Sequence, residues 1–228
     1  MIMPLAALGR FLRKMMSLHK DELPAAGKRV LVVGLGNHGM GDTRHSVGMA
    51  VLNHLANKLS VGDRWTRDRP CCGDVAFAPL GDLQLILMKP RRFMNVNGLS
   101  VVGAAEMYKL GVEDIYLVHD DLDKPLGKVA LKLGGSARGH NGVRSCIHCL
   151  RSDHIVRVRV GIGRPAKGES VERYVLSRFT STEREVLPQI FEQSTKLLLE
   201  HIQERHRTQP NPTVCGEPTN IPLKSDGA

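Results

Sequence analysis

Apolar and polar positions alternate along the chain in two rhythms, one of strands and one of helices. "RVLVVGL" (29–35) is a short β-branched run that reads as a buried strand. From His45 onward, Val47, Val51, Leu52, Leu55 and Leu59 recur at helical spacing and mark one helix face. "DVAFAPL" and "LQLILMK" flank Gly81-Asp82 and predict a hairpin. Val96 to Leu110 suits a second helix, with Gly111 as its stop. "DIYLVHD" (114–120) and "KVALKL" (128–133) predict two more strands, the second running into "GGSARGHNG". Residues 141–151 predict a short helix, and "IVRVRVGIG" (155–163) alternates apolar and basic residues as a half-exposed strand does. Glu183 to Gln203 predicts a long amphipathic closing helix. Strands interleaved with helices imply an α/β fold: a single domain with a twisted, mixed, partly parallel sheet flanked by helices. We place an N-terminal extension at 1–27, the folded domain at 28–206 and a disordered tail at 207–228, which is rich in Pro, Thr and Asn.

Composition refines this picture. The chain has 228 residues, 42% of them hydrophobic and 4% aromatic, so Leu, Val and Ile fill one sizeable core. No apolar run approaches the roughly 20 residues of a membrane-spanning helix, and no membrane partner is expected. The formal charge of +9 suits a polyanion such as nucleic acid or an anionic surface, although a basic protein without such a partner has the same total. Five cysteines are an odd number without secreted-domain spacing. Cys146 and Cys149 read as two reduced thiols on one helix face, in an intracellular compartment. Residues 1–20 contain no acid, with Leu5, Leu8, Leu12, Met15 and Met16 at helical spacing opposite Arg10 and Lys14. Such a start resembles a mitochondrial presequence, so we expect a mitochondrial location, with the cytosol as the alternative.

"VVGLGNHGMGDTRHSVG" (32–48) contains the spacing G-x-G-x-x-G at Gly34, Gly36 and Gly39. A dinucleotide site would place the third glycine inside the following helix, and an acid at the end of a second strand roughly 20 residues later. Here Gly39 leads into further turn residues, and "KLSVGDRW" offers neither a strand nor a terminal acid. The motif's context therefore argues against a nicotinamide oxidoreductase.

The predicted strand ends carry a different set of groups. Asn37 follows the first strand, His45 opens the first helix and Asn95 precedes the second. Asp120 ends a central strand in "VHDDLD", and His140 and Asn141 open the third helix in "GHNG". Sites in open α/β sheets form outside the carboxyl ends of strands, so these side chains can share one cleft. A neutral histidine can take a proton from water, an aspartate on its other nitrogen fixes the tautomer, and carboxamides bind peptide groups or a developing oxyanion. No G-x-S-x-G elbow or cysteine nucleophile pattern is present, which favours a base-activated water over a covalent intermediate, and no metal-ligand cluster such as H-E-x-x-H appears. "HDDLD" also has the acids for a divalent cation, though such loops are commonly just solvated.

With these residues in place, the chain resembles the bacterial-type peptidyl-tRNA hydrolases. The resemblance rests on "VVGLGNHG", "TRHSVGM", "RRFMNVNG", "LVHDDLDKPLGKVALKLGGSARGHNGVRS" and "RVRVGIGRP", in the family's order over about 30–180. It implies a cofactor-free monomer that cleaves the ester between a peptide, or an N-blocked aminoacyl group, and the 3′ end of peptidyl-tRNA, recycling the tRNA. It implies His45 as general base with Asp120 as its partner, and Asn37 as the group that distinguishes a blocked amine from a free one. Asn95 and Asn141 would bind the peptide and the 3′ end, with His140 beside them and Phe93 and Met94 as an apolar wall. Lys132 and Arg159 match positions that contact tRNA, and Arg138, Arg144 and Arg157 would extend that surface. Two departures stand out: His38 replaces the usual Pro in "GNHG", and the segment from Asn37 to His45 is shorter and lacks a tyrosine. A tRNA- or ribosome-binding protein of the same fold with weak turnover is the alternative.

Overall fold

The computed structural model describes residues 27–207. The presequence-like start and the Pro-rich tail both lie outside the described residues. Seven strands form one mixed sheet: β1 (Lys28–Gly34), β2 (Thr66–Asp68), β3 (Gly73–Leu80), β4 (Leu83–Pro90), β5 (Ile115–Asp121), β6 (Val129–Lys132) and β7 (Val156–Gly161). Their order is β2-β3-β4-β1-β5-β7-β6. The central pairs β4/β1, β1/β5 and β5/β7 are parallel, and the outer pairs are antiparallel. The helices are α1 (Val47–Lys58), α2 (Asn97–Tyr108), α3 (Asn141–Leu150), α4 (Val171–Val175) and α5 (Ser181–Arg207).

The central strands are apolar at consecutive positions because both sheet faces are covered. Val30, Val32, Leu85, Leu87 and Val118 join α1 and α5 in one core. Leu31, Val33, Ile86, Met88 and Leu117 join α2 and α3 in the other. The period of two along each strand divides its side chains between these cores.

Several expectations change. β2 lies just beyond "KLSVGDRW", where no strand was expected; it hydrogen-bonds to β3, and its buried Asp68 accepts from the Tyr108 hydroxyl at 2.9 Å. The second helix begins at Asn97, after a 3-10 turn over Met94–Val96. It ends at Lys109, not at Gly111: Lys109 is left-handed at φ 54°, and Leu110 N–H returns to the Ala105 carbonyl at 2.9 Å. β7 is not half-exposed, since Arg157 is only 2% exposed and the strand lies between neighbours.

The glycines of the 32–48 segment serve close packing. A Cβ on Gly48 would fall 2.2 Å from the Val118 carbonyl oxygen, and one on Gly34 would fall 2.4 Å from that of Gly48. The start of α1 therefore sits directly on β1 and β5, which brings His45 to the end of β5. Gly48→Ala is expected to cost about 2 kcal/mol by overpacking against backbone. That lowers the melting temperature by about 4–8 °C, readable by circular dichroism.

Candidate active site

Asp120 lies at the carboxyl end of β5, 2% exposed. His45, in the 3-10 turn Arg44–Ser46 that leads into α1, has Nδ1 2.9 Å from Asp120 Oδ1 and 3.0 Å from Oδ2. His140 caps α3 and has Nε2 2.9 Å from the same Oδ1. A carboxylate only accepts, so both imidazoles donate to it. His140 Nδ1 accepts from Val143 N–H at 3.2 Å, which fixes its proton on Nε2. His45 spends its Nδ1 proton on Asp120, and its Nε2 lone pair is left for the cleft that the ring lines. Burial by itself would raise the Asp120 carboxyl pKa. The charge and hydrogen bonds of His140 and His45 outweigh it and hold the group well below the usual carboxylate range.

His119 supports this pair from behind. Its Nδ1–H donates to the Asp120 carbonyl oxygen at 2.6 Å, and its ring meets that of His140 edge-on with centroids 4.6 Å apart. Burial, and then the proximity of His140, push its pKa down to about 3, so it stays neutral. Sequence reasoning passed over His119, although it adjoins Asp120 in "VHDDLD".

Arg44 anchors the turn that carries His45. It is 4% exposed and forms a two-pronged ion pair with Glu183, Nη1 to Oε1 at 2.8 Å and Nη2 to Oε2 at 2.7 Å. Its guanidinium carbon lies 4.4 Å from the Tyr174 ring centroid and 4.9 Å from that of Phe179. Hydrogen bonding from Arg44 pulls the Glu183 pKa down to about 2 despite partial burial. Residues of α4 and α5 thus hold His45 from the outside of the sheet.

The carboxamides come from three elements. Asn37 is 6% exposed; its N–H donates to Ser46 Oγ at 3.1 Å, and its Oδ1 accepts from Met94 N–H at 2.7 Å. With the oxygen engaged, Nδ2 is the end of the amide available to the cleft. Met94, Asn95 and Asn141 line the same cleft, whose volume is about 720 Å³. Phe93 does not join Met94 there: it is 65% exposed, whereas Met94 is 4% exposed and packs under Gly142. The expected apolar wall therefore reduces to Met94 in this structure.

Lys132, Arg138 and Arg159 line the cleft's basic end. Arg159 Nη1 pairs with Asp121 at 3.0 Å, which compensates its charge. Lys132 Nζ donates to the Ser136 carbonyl at 3.2 Å. Burial and the neighbouring arginines 157, 138 and 159 lower its pKa, the mark of a cluster of like charges. Arg144 is exposed on α3 outside the cleft lining. Arg157 also borders the cleft but is almost wholly buried: its guanidinium donates to the carbonyls of Ser136 and Gly135 and holds the glycine-rich loop.

Among the described residues, one group could hold a metal ion, His45, Asp120 and His140, whose ligand atoms all lie within 4.8 Å of one another. A cation there would need both imidazole nitrogens as lone-pair donors. The His140 nitrogen carries its proton, because Nδ1 of that ring accepts from Val143 N–H, so this ring fits a hydrogen bond to Asp120 better than a metal ion. The site can therefore hold a water against a free imidazole nitrogen, beside fixed amide donors and a basic rim.

Comparison with known proteins identifies the family and the fold. Residues 31–214 match the family model described as peptidyl-tRNA hydrolase. A probable peptidyl-tRNA hydrolase of Mus musculus is 60% identical over 190 residues, covering 83% of this chain and 93% of the relative. The peptidyl-tRNA hydrolase of Geotalea uraniireducens is 44% identical over 170 residues, covering 74% and 87%. The crystal structure of peptidyl-tRNA hydrolase from Acinetobacter baumannii superimposes with a TM-score of 0.70 at 30% identity, covering 80% of this chain and 94% of that one. A family model that spans most of the folded chain and a shared fold lead to one assignment: this chain belongs to the peptidyl-tRNA hydrolase family.

Proposed function

We propose that the chain hydrolyses the ester joining a peptide, or an N-blocked aminoacyl group, to the 3′ end of tRNA, with water as the nucleophile. The observation that carries this reading is the His45 Nδ1–Asp120 contact at 2.9 Å, which commits the other ring nitrogen to the cleft as a base. His45 Nε2 takes a proton from the water as its oxygen attacks the ester carbonyl carbon. Asp120 stabilises the imidazolium so formed. The tetrahedral oxyanion collapses, the bond to the ribose oxygen breaks, and the imidazolium returns the proton to that oxygen. The products are a peptide carboxylic acid and a tRNA with a free hydroxyl. Every side chain this sequence needs comes from one copy of the chain, which supports a monomer as the active unit.

The deciding experiment offers N-acetyl-aminoacyl-tRNA and unacetylated aminoacyl-tRNA in parallel and measures released amino acid. Release from the acetylated form alone is expected. Binding without release would instead support a tRNA-binding protein without turnover. The presequence-like start supports a mitochondrial location, tested by imaging the chain with and without residues 1–25.

Lys132 and Arg138 are the cleft-end cations we assign to tRNA phosphates, since Arg159 is compensated by Asp121. Lys132→Ala combined with Arg138→Gln should weaken tRNA binding and flatten the dependence of log affinity on log salt by about two. An unchanged slope in a salt titration places the phosphates elsewhere.

A further inference from the structure

Asn97 opens α2 and is fully buried, on no wall of the cleft. Its carboxamide nevertheless binds both loops that shape the site. Oδ1 accepts from Gly36 N–H at 3.1 Å. Nδ2 donates to the Gly36 carbonyl at 3.1 Å, the Phe93 carbonyl at 2.9 Å and, at 3.4 Å, that of Arg92. One side chain thus meets both backbone polar groups of Gly36 and reaches across to the turn after β4.

We propose that Asn97 is a positioning residue that fixes the orientation of the Asn37 amide and, through it, selects acyl groups whose amine is blocked. The inference rests on the hydrolase reading above and adds a residue to it. Gly36 and Phe93 are the residues immediately before Asn37 and Met94. Asn97 therefore holds the two peptide units whose separation sets the 2.7 Å bond from Met94 N–H to Asn37 Oδ1. That bond decides which end of the Asn37 amide meets the substrate. A backbone N–H tolerates only oxygen opposite it, so the amide's NH2 faces the cleft.

The consequence is chemical. An NH2 group only donates, and so pairs with the carbonyl oxygen that an N-acyl group supplies. A free α-ammonium is itself a donor, and cationic; opposite Asn37 it finds no acceptor and loses solvation without compensation. If the two loops drift apart, the Met94 bond lengthens, the Asn37 amide can rotate, and its oxygen becomes available to an ammonium. Selectivity falls even though His45 and Asp120 stay in place.

The test uses the full chain with Asn97→Ala and Asn97→Asp, each confirmed as folded by thermal melting. For Asn97→Ala we expect KM for N-acetyl-aminoacyl-tRNA to rise about tenfold with kcat within about threefold, the scale of one lost hydrogen bond. The preference for acetylated over free aminoacyl-tRNA should fall about tenfold, and affinity for deacylated tRNA should not change. Asn97→Asp gives a signature that general destabilisation does not. A protonated acid still accepts from Gly36 and donates one bond, whereas the ionised form sets a negative charge against the carbonyls of Gly36, Arg92 and Phe93. Its selectivity should therefore decline more steeply as pH rises than that of the unsubstituted protein, where only the substrate's own amine titrates. If Asn97→Ala does not fold, this profile decides alone. Unchanged KM and selectivity in folded Asn97→Ala, or an Asn97→Asp profile parallel to that of the unsubstituted protein, overturns the proposal. Absence of release by the unsubstituted protein overturns the hydrolase reading itself, so the two failures are told apart.

Discussion

Replacement of His45 by alanine is expected to slow release of N-acetyl-amino acid from its tRNA by about 10³-fold or more, the range that a positioned general base supplies. The prediction follows from the hydrogen-bond network. His140 has one nitrogen committed to Asp120 and the other to the start of α3, and His119 Nδ1 is committed to the Asp120 carbonyl. His119 Nε2 has no partner among the described residues but is sealed from solvent, so His45 alone of the three offers an accessible lone pair, with its proton on the carboxylate side. Its side chain is 12% exposed, so truncation leaves a small opening beside the water rather than an unfolded turn. Affinity for deacylated tRNA should change less than twofold or so, because the basic end of the cleft is untouched. Added imidazole should restore part of the rate by entering the opening. A variant that keeps its turnover removes His45 from the role of base.

Asp120→Asn should cost about 10³-fold in kcat with little change in KM, although it alters only one atom. The carboxylate accepts from two imidazoles at once. A carboxamide has one oxygen, and its NH2 must face one of the two rings as a donor. Turned towards His45, the NH2 demands a lone pair at Nδ1, which moves the proton to Nε2 and removes the base. Turned towards His140, it sets donor against donor and breaks the cap on α3. Asp120 is held well below the usual carboxylate range, so it stays ionised at neutral pH. For stability the sign is that of a depressed folded-state pKa. The contribution is present above the ordinary carboxyl pKa and is lost as pH falls through the lower folded value. Asp120→Asn should lack that acid-induced loss, as acid-denaturation curves of both forms would show.

The central strands were legible because each is a short apolar run set between turns, and burial on both faces requires such runs. The outer pieces were not. Two of the three residues of β2 are exposed, and the strand exists through its pairing to β3 and the Asp68–Tyr108 bond. α4 has five residues and is held by Arg44 against Tyr174 and by Tyr174 donating to the Ile162 carbonyl at 2.6 Å. Neither leaves a periodic trace. Arg157 was misread because alternation with apolar residues normally marks a wet face. Here two carbonyls of a distant loop receive the guanidinium, a fact carried by tertiary structure alone. The site shows the same division. That polar groups gather at the ends of β1, β4 and β5 followed from the α/β pattern. Which group bonds to which did not: His140 was placed with the substrate ligands, and in the cleft lining it is also a second donor to Asp120. Asn97 passed as a neighbour of Asn95, since a buried carboxamide is identified only by the two loops it joins.

The Arg44–Glu183 pair gives the last helix a stake in chemistry that it never touches. All the residues around the cleft precede Leu176 or end with it. A polypeptide cut off near residue 180 would therefore carry the complete reactive set. It would also leave the Arg44 guanidinium, one residue from His45, without its carboxylate partner and strip the cover from one apolar layer. Such a fragment would hold every catalytic letter of the sequence and still be inert. Premature termination anywhere before Glu183 is thus expected to abolish ester release, even when the message upstream of it is intact.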